Sequence, residues 1–188
     1  MTLPTRKTQL FTRRDADRDD FIDKLAQRWL VERAAVTLYD VAIARLRVNS
    51  LLDGLMPDLE RFAREEKLHA DMLAQLLAEL GHGDVPAEPA TPAINLAASA
   101  MAALLDSARA PTATARSVLG ALDMAERLDV LGWDLLTELA KDAELDEVWL
   151  RSFRAAGREE REHEHVIHAH VTRLEREALL HEHVHFSG

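Results

Sequence analysis

Residues 158–165 read "REEREHEH", and two Glu-x-x-His pairs can be cut from them: Glu160 with His163, or Glu162 with His165. On a helix, residues three apart lie side by side. Either pair can therefore offer a carboxylate and an imidazole to one metal ion, or both can decorate a wet face. The choice decides the fold, because a ligand pair must point into a core and a decorative one must not.

An internal repeat makes the choice. Sliding the sequence by 94 positions lays "ERAAVTLYD" (32–40) on "ERLDVLGWD" (126–134) and "REEKLH" (64–69) on "REEREH" (158–163). The identical pairs are Glu32/Glu126, Arg33/Arg127, Val36/Val130, Asp40/Asp134, Arg64/Arg158, Glu65/Glu159, Glu66/Glu160 and His69/His163, and Tyr39 meets Trp133. Pairing through Glu162 and His165 needs an offset of 96, which sets Leu128 against Glu32 and loses the arginine matches. Helical periodicity agrees. Phe153, Ala156, Glu160, His163, Ile167, Val171 and Leu174 form one stripe at steps of three and four, and Glu162 and His165 lie off it.

Outward from that stretch, four segments carry helical periodicity: residues 15–47, 57–81, 112–141 and 145–180. Pro57 suits a first helical turn and Gly81 a helix end. Acidic residues at 144, 146 and 147 suit the N-terminal dipole of the last helix. The connections at 49–54 and 141–144 are short, so each joins an antiparallel pair. The middle connection, residues 82–111, opens on Gly and Pro and then holds a short apolar helical patch. The expected architecture is all-α: a four-helix bundle of two antiparallel hairpins joined by a long crossover containing a short helix. Residues 15–180 form the bundle, 1–14 an N-terminal arm and 181–188 a His-rich tail.

The spacing brings the repeated residues together. Glu32 and Glu66 are 34 positions apart, as are Glu126 and Glu160, and the midpoints fall in the two expected turns. Each hairpin thus sets a glutamate opposite its Glu-x-x-His, about 25 Å from the turn at 1.5 Å per residue. Two facing hairpins converge Glu32, Glu66, His69, Glu126, Glu160 and His163 at the middle of the bundle.

Four carboxylates buried together repel one another strongly in a low dielectric. Two divalent cations would carry +4 against the −4 of the four glutamates, with the imidazoles neutral. The chain has no cysteine, which excludes disulfides, thiolate nucleophiles, iron–sulfur clusters and thiolate zinc sites. Oxygen-rich ligation with one imidazole per ion suits iron or manganese.

Composition sets further bounds. The 188 residues suit one domain with a real core. Only 7 Gly, 6 Pro and 5% aromatics, with abundant Ala, Leu, Glu and Arg, suit helices. A formal charge of −10 argues against a nucleic-acid partner; the small basic arm of Arg6, Lys7, Arg13 and Arg14 reads as a solvated tail. The first twenty residues lack the apolar stretch of a secretory signal. The longest nearly apolar run, "INLAASAMAALL" at 94–105, is too short to span a bilayer. A cytoplasmic protein with no membrane association is expected.

The doubled pattern Glu32…Glu66-x-x-His69 and Glu126…Glu160-x-x-His163 resembles the ferritin-like superfamily of di-metal carboxylate bundles, with a ligand pattern like that of rubrerythrins and bacterioferritins. The likeness covers essentially the whole chain, and the connecting "ATPAINLA" looks like that of bacterial ferritin-like domain proteins. The resemblance implies that Glu66 and Glu160 bridge two ions, that Glu32 and Glu126 bind terminally, and that His69 and His163 each cap one ion. It also implies that Glu65 and Glu159, at positions often held by Asp in the family, bond the histidine of the opposite hairpin. Such a partner fixes the imidazole tautomer and raises its basicity.

The remaining features have plainer expected roles. Tyr39 and Trp133 sit two turns beyond Glu32 and Glu126, where packing is expected and an electron relay is the alternative. Arg33, Arg64, Arg127 and Arg158 suit ion pairs with neighbouring acids. His165 and His168 are expected to face solvent, and His170 to edge the core. The tail "HEHVHFSG" can fray or gather ions. The functional expectation is a di-iron or dimanganese oxidoreductase reacting Fe(II) with O2 or H2O2, in iron handling or oxidative-stress defence, and a homo-oligomer. A storage-cage subunit, a manganese catalase-like enzyme and a non-catalytic metal-stabilised scaffold are the alternatives.

Overall fold

The computed structural model describes residues 15–48, 52–83 and 92–185, without the side chains of 15–18, 92–95 and 180–185. The basic arm at 1–14 and the side chains of the tail lie outside the described residues. Five helices follow one another: α1 (Asp15–Leu46), α2 (Met56–Glu79), α3 (Pro92–Arg109), α4 (Ala115–Asp142) and α5 (Glu147–His185). Among the described residues there is no strand and no helix long and apolar enough to cross a membrane.

Local chemistry sets the helix ends. Pro57 stands in the first turn of α2, where its missing N–H costs nothing. Thr114 caps α4 in a capping box with Ser117, and Asp146 Oδ1 accepts the Val148 N–H at 2.7 Å at the start of α5. Both α2 and α4 close with paired back-bonds, His82 N–H to Leu77 O and Gly81 N–H to Ala78 O in one, and Leu145 N–H to Ala140 O and Glu144 N–H to Lys141 O in the other. This ending needs one left-handed residue. Gly81 takes it at φ 86, but in the second case Glu144 does, at φ 55. That turn is why α5 begins at Glu147, two residues later than the periodicity predicts.

Helices α1 and α2 pack along each other, as do α4 and α5; α1 also packs on α4, and α3 on both α1 and α4. The connection between the hairpins therefore holds an 18-residue helix, longer than the short patch expected. It covers the α1–α4 seam.

The core has two apolar clusters. One holds Leu38, Tyr39, Leu59, Phe62, Leu119, Leu122 and Ile167; the other holds Phe21, Leu25, Leu73, Leu76, Trp133, Leu136 and Phe153. Between them in sequence, on each of the four long helices, lie buried polar residues: Arg28 and Glu32 on α1, Glu66 and His69 on α2, Glu126 and Asp129 on α4, Glu160 and His163 on α5. Moving along α1 and α5 the chain passes from the second cluster to the first, and along α2 and α4 from the first to the second. Each hairpin is thus antiparallel, and α3 carries the chain from one end of the molecule to the other.

Candidate metal centre

The four long helices bring all six repeated residues into one buried layer. Glu32, Glu66, Glu126, Glu160 and His163 have no exposed surface, and His69 is 4% exposed. Glu162 lies more than half exposed and pairs with Arg61 at 2.7 Å, and His165 faces outward. The register chosen from the repeat is the one that points inward.

Two groups of potential ligand atoms form, each with its atoms within 4.8 Å of one another: Glu32, Glu66, His69 and Glu160, and Glu66, Glu126, Glu160 and His163. Glu66 and Glu160 belong to both. The imidazoles are oriented alike. His69 turns Nδ1 inward, 2.9 Å from Glu160 and 3.7 Å from Glu32, and His163 turns Nδ1 to Glu66 at 3.2 Å and to Glu126 and Glu160 at 3.5 Å. Each Nε2 faces the opposite hairpin: His69 meets Glu159 at 2.8 Å and His163 meets Glu65 at 2.8 Å. Both glutamate side chains are long enough to reach the ring across the hairpins.

Each of the four glutamates keeps one carboxylate oxygen without a hydrogen bond. Buried side-chain atoms lacking a hydrogen bond are Glu32 Oε2, Glu66 Oε2, His69 Nδ1, Glu126 Oε2, Glu160 Oε2 and Asp129 Oδ2. All but the last belong to residues of the two groups. Leaving one such group without a hydrogen bond costs about 1–3 kcal/mol, and the two groups of buried carboxylates and imidazoles could hold metal ions.

The protein's own charges point the same way. Burial disfavours ionisation throughout the layer, and Glu66, crowded by Glu160 and Glu32, is driven well above the usual carboxylate range. Glu126 is pushed up to about 7, burial outweighing the pull of the nearby His163 imidazole. Burial also works against Glu32 and Glu160, yet Arg28 holds the first below its ordinary value and the two histidines hold the second there. His69 rises to about 11 because Glu160 and Glu32 overcome its burial, and His163 is raised for the same reason by Glu126 and Glu160. The carboxylates cannot all be charged unless positive charge lies among them.

Tyr39 and Trp133 do more than pack. The Tyr39 hydroxyl donates to Glu126 Oε1 at 2.6 Å and the Trp133 indole N–H to Glu160 Oε1 at 3.1 Å, so each steadies one oxygen of a candidate ligand. The exposed repeat arginines take surface partners: Arg127 pairs with Asp123 at 3.3 Å, and Arg33 lies over the Trp29 ring at 4.8 Å. His168 is exposed, bonded to Asp123 at 3.1 Å. His170 is partly buried, as a residue edging the core should be, and burial lowers its pKa.

Arg28 and Asp129 escaped the repeat comparison. Arg28 Nε donates to Glu32 Oε1 at 2.7 Å, and its Nη2 makes a short ion pair with Asp129; both residues are buried. Their repeat partners are Leu122 and Ala35, so a search for identities passes over them. The available signal was a charged residue on an inward stripe, four before Glu32 and three after Glu126. Arg28 and Gly132 also line a cavity of about 220 Å³ between α1, α3 and α4, with Val31, Met101, Leu128 and Leu135 among its walls.

Compared with protein-family models, with curated proteins and with solved structures, the chain matches none.

Proposed function

We propose that the chain is a ferritin-like di-metal carboxylate protein: it holds two iron ions, or two manganese ions, and acts as an oxidoreductase on O2 or H2O2 in iron handling or peroxide defence. The observation that supports this reading is the convergence from four helices of two buried groups of carboxylates and imidazoles that share Glu66 and Glu160. The donor set fits such ions. It is made of carboxylate oxygens and imidazole nitrogens alone, which hard and borderline divalent cations prefer, and its four carboxylates supply the charge that two such ions would balance.

Glu32 and His69 would hold one ion and Glu126 and His163 the other. Glu66 and Glu160, shared by the two groups, would lie between them. Iron or manganese supplies the redox electrons when bound. The chain's own contribution is position. Glu65 and Glu159 accept the Nε2–H of the opposite hairpin's histidine and leave Nδ1 free to ligate. Tyr39, Trp133 and Arg28 each anchor one oxygen, of Glu126, Glu160 and Glu32 in turn. Phe62, 4.1 Å from the His163 ring between centroids, and Trp133, 5.5 Å from that of His69, keep water from the flanks.

Metal analysis of Glu160→Ala and Glu162→Ala tests the ligand assignment: the first loses at least one ion and the second keeps both. Peroxide-dependent Fe(II) oxidation that disappears in Glu66→Ala tests the activity; retention of full turnover would remove it. Exposed Met124, Leu131 and Leu135 on α4 support self-association, which sedimentation or light scattering reads directly.

A further inference from the structure

The two halves of the repeat match at every candidate ligand but diverge at three positions near them. In the α1–α4 region, Arg28, Asp129 and Gly132 stand where the repeat places Leu122, Ala35 and Leu38 on the other side. The latter three are buried in an apolar cluster. The former three form an ionic insert: the guanidinium bonds Glu32 and Asp129, and Gly132 supplies the room, since a Cβ there would overlap Arg28 Nη1.

The insert changes how one terminal carboxylate is held. Glu126 Oε1 accepts a neutral hydroxyl, from Tyr39. By the symmetry of the repeat, Trp133 would do the same for Glu32. Instead Trp133 donates to Glu160, the Arg28 guanidinium lies 5.5 Å from its ring centroid, and Arg28 takes Glu32 Oε1. Glu32 therefore shares its charge with a cation, and its bonded oxygen stays committed. Asp129 offsets the charge of Arg28 without freeing that oxygen.

We propose that this insert makes the two cation positions unequal: the ion held by Glu126 and His163 binds first and more tightly, and the ion held by Glu32 and His69 second and more weakly. The inference rests on the reading of the cluster as a two-ion centre. Its scale follows from the usual effect of partners behind a ligand, about 10–100-fold in metal affinity.

Co(II) titration of the metal-free full-length protein, followed by calorimetry and visible absorption, tests it. The expected result is two steps separated by about 10–100-fold. Glu32→Gln removes the weaker step and keeps the tighter one, and Glu126→Gln removes the tighter. Arg28→Leu combined with Asp129→Ala, which installs the residues of the other half, draws the steps together. Uptake of two Co(II) ions with one affinity would overturn the inequality and leave the centre standing, and so would loss of the tighter step in Glu32→Gln alone. Failure to bind any Co(II) would overturn the centre itself. The wild-type titration and the isosteric Gln variants decide the matter even if the double variant does not fold.

Discussion

Gly132→Ala probes the buried ion pair without touching a charged residue. A Cβ at this position would sit closer than 3.0 Å to Arg28 Nη1, a separation such atoms do not adopt, and 3.3 Å from Cζ and 3.5 Å from Cδ. An arginine tip usually swings away at little cost, but this one is buried and held by Glu32 and Asp129. Moving it leaves two buried carboxylates without their cation, and breaking a buried pair costs about 3–5 kcal/mol. Replacing a helical glycine by alanine returns about 1 kcal/mol. The net expectation is a loss of about 2–4 kcal/mol, which for a chain of this size lowers the melting temperature by roughly 5–15 °C. Thermal and urea denaturation followed by circular dichroism measure it. Gly120→Ala, also in α4 but with nothing within 4 Å of an added Cβ, should be neutral or stabilising. In the Arg28→Leu/Asp129→Ala background the same Gly132→Ala change should lose its penalty, the signature of direct coupling. A Gly132→Ala protein as stable as wild type would refute the argument that Arg28 is locked in place.

Further expectations concern the centre and one turn. Tyr39→Phe strips Glu126 Oε1 of its donor and should cost the metal-free protein about 1–3 kcal/mol, read from urea midpoints. Glu65→Ala removes the partner of His163 Nε2 and should weaken metal binding about 10–100-fold in competition with a chelator; unchanged affinity would show that the contact does not orient the ring. Metal uptake should release protons, because Glu126 at about 7 and His69 at about 11 hold them near neutral pH and must shed them to ligate. Protons compete with the ion, so affinity rises with pH, and calorimetry in buffers of different ionisation heat counts those released. An affinity that stays flat between about pH 6 and 8 would contradict the assignment. Glu144→Gly relieves a left-handed residue at φ 55 and should stabilise the fold by about 0.5–1 kcal/mol.

The four long helices and the six inward-pointing repeated residues were legible in the sequence, because each depends on periods and spacings counted along one chain. A stripe at steps of three and four specifies which face of α5 is buried, and equal spacing about a turn specifies which glutamate meets which Glu-x-x-His. Contacts that join distant segments have no such count. Arg28 and Asp129 are 101 residues apart and belong to α1 and α4, so nothing local pairs them, and Gly132 reads as an ordinary helical glycine until the guanidinium is seen against it. The same holds for Tyr39 on Glu126 and Trp133 on Glu160. Local periodicity, a property of single helices, determined what points inward; the packing of helices against one another decided which buried groups hold each carboxylate, because donors and acceptors far apart in sequence come within hydrogen-bond distance only in three dimensions.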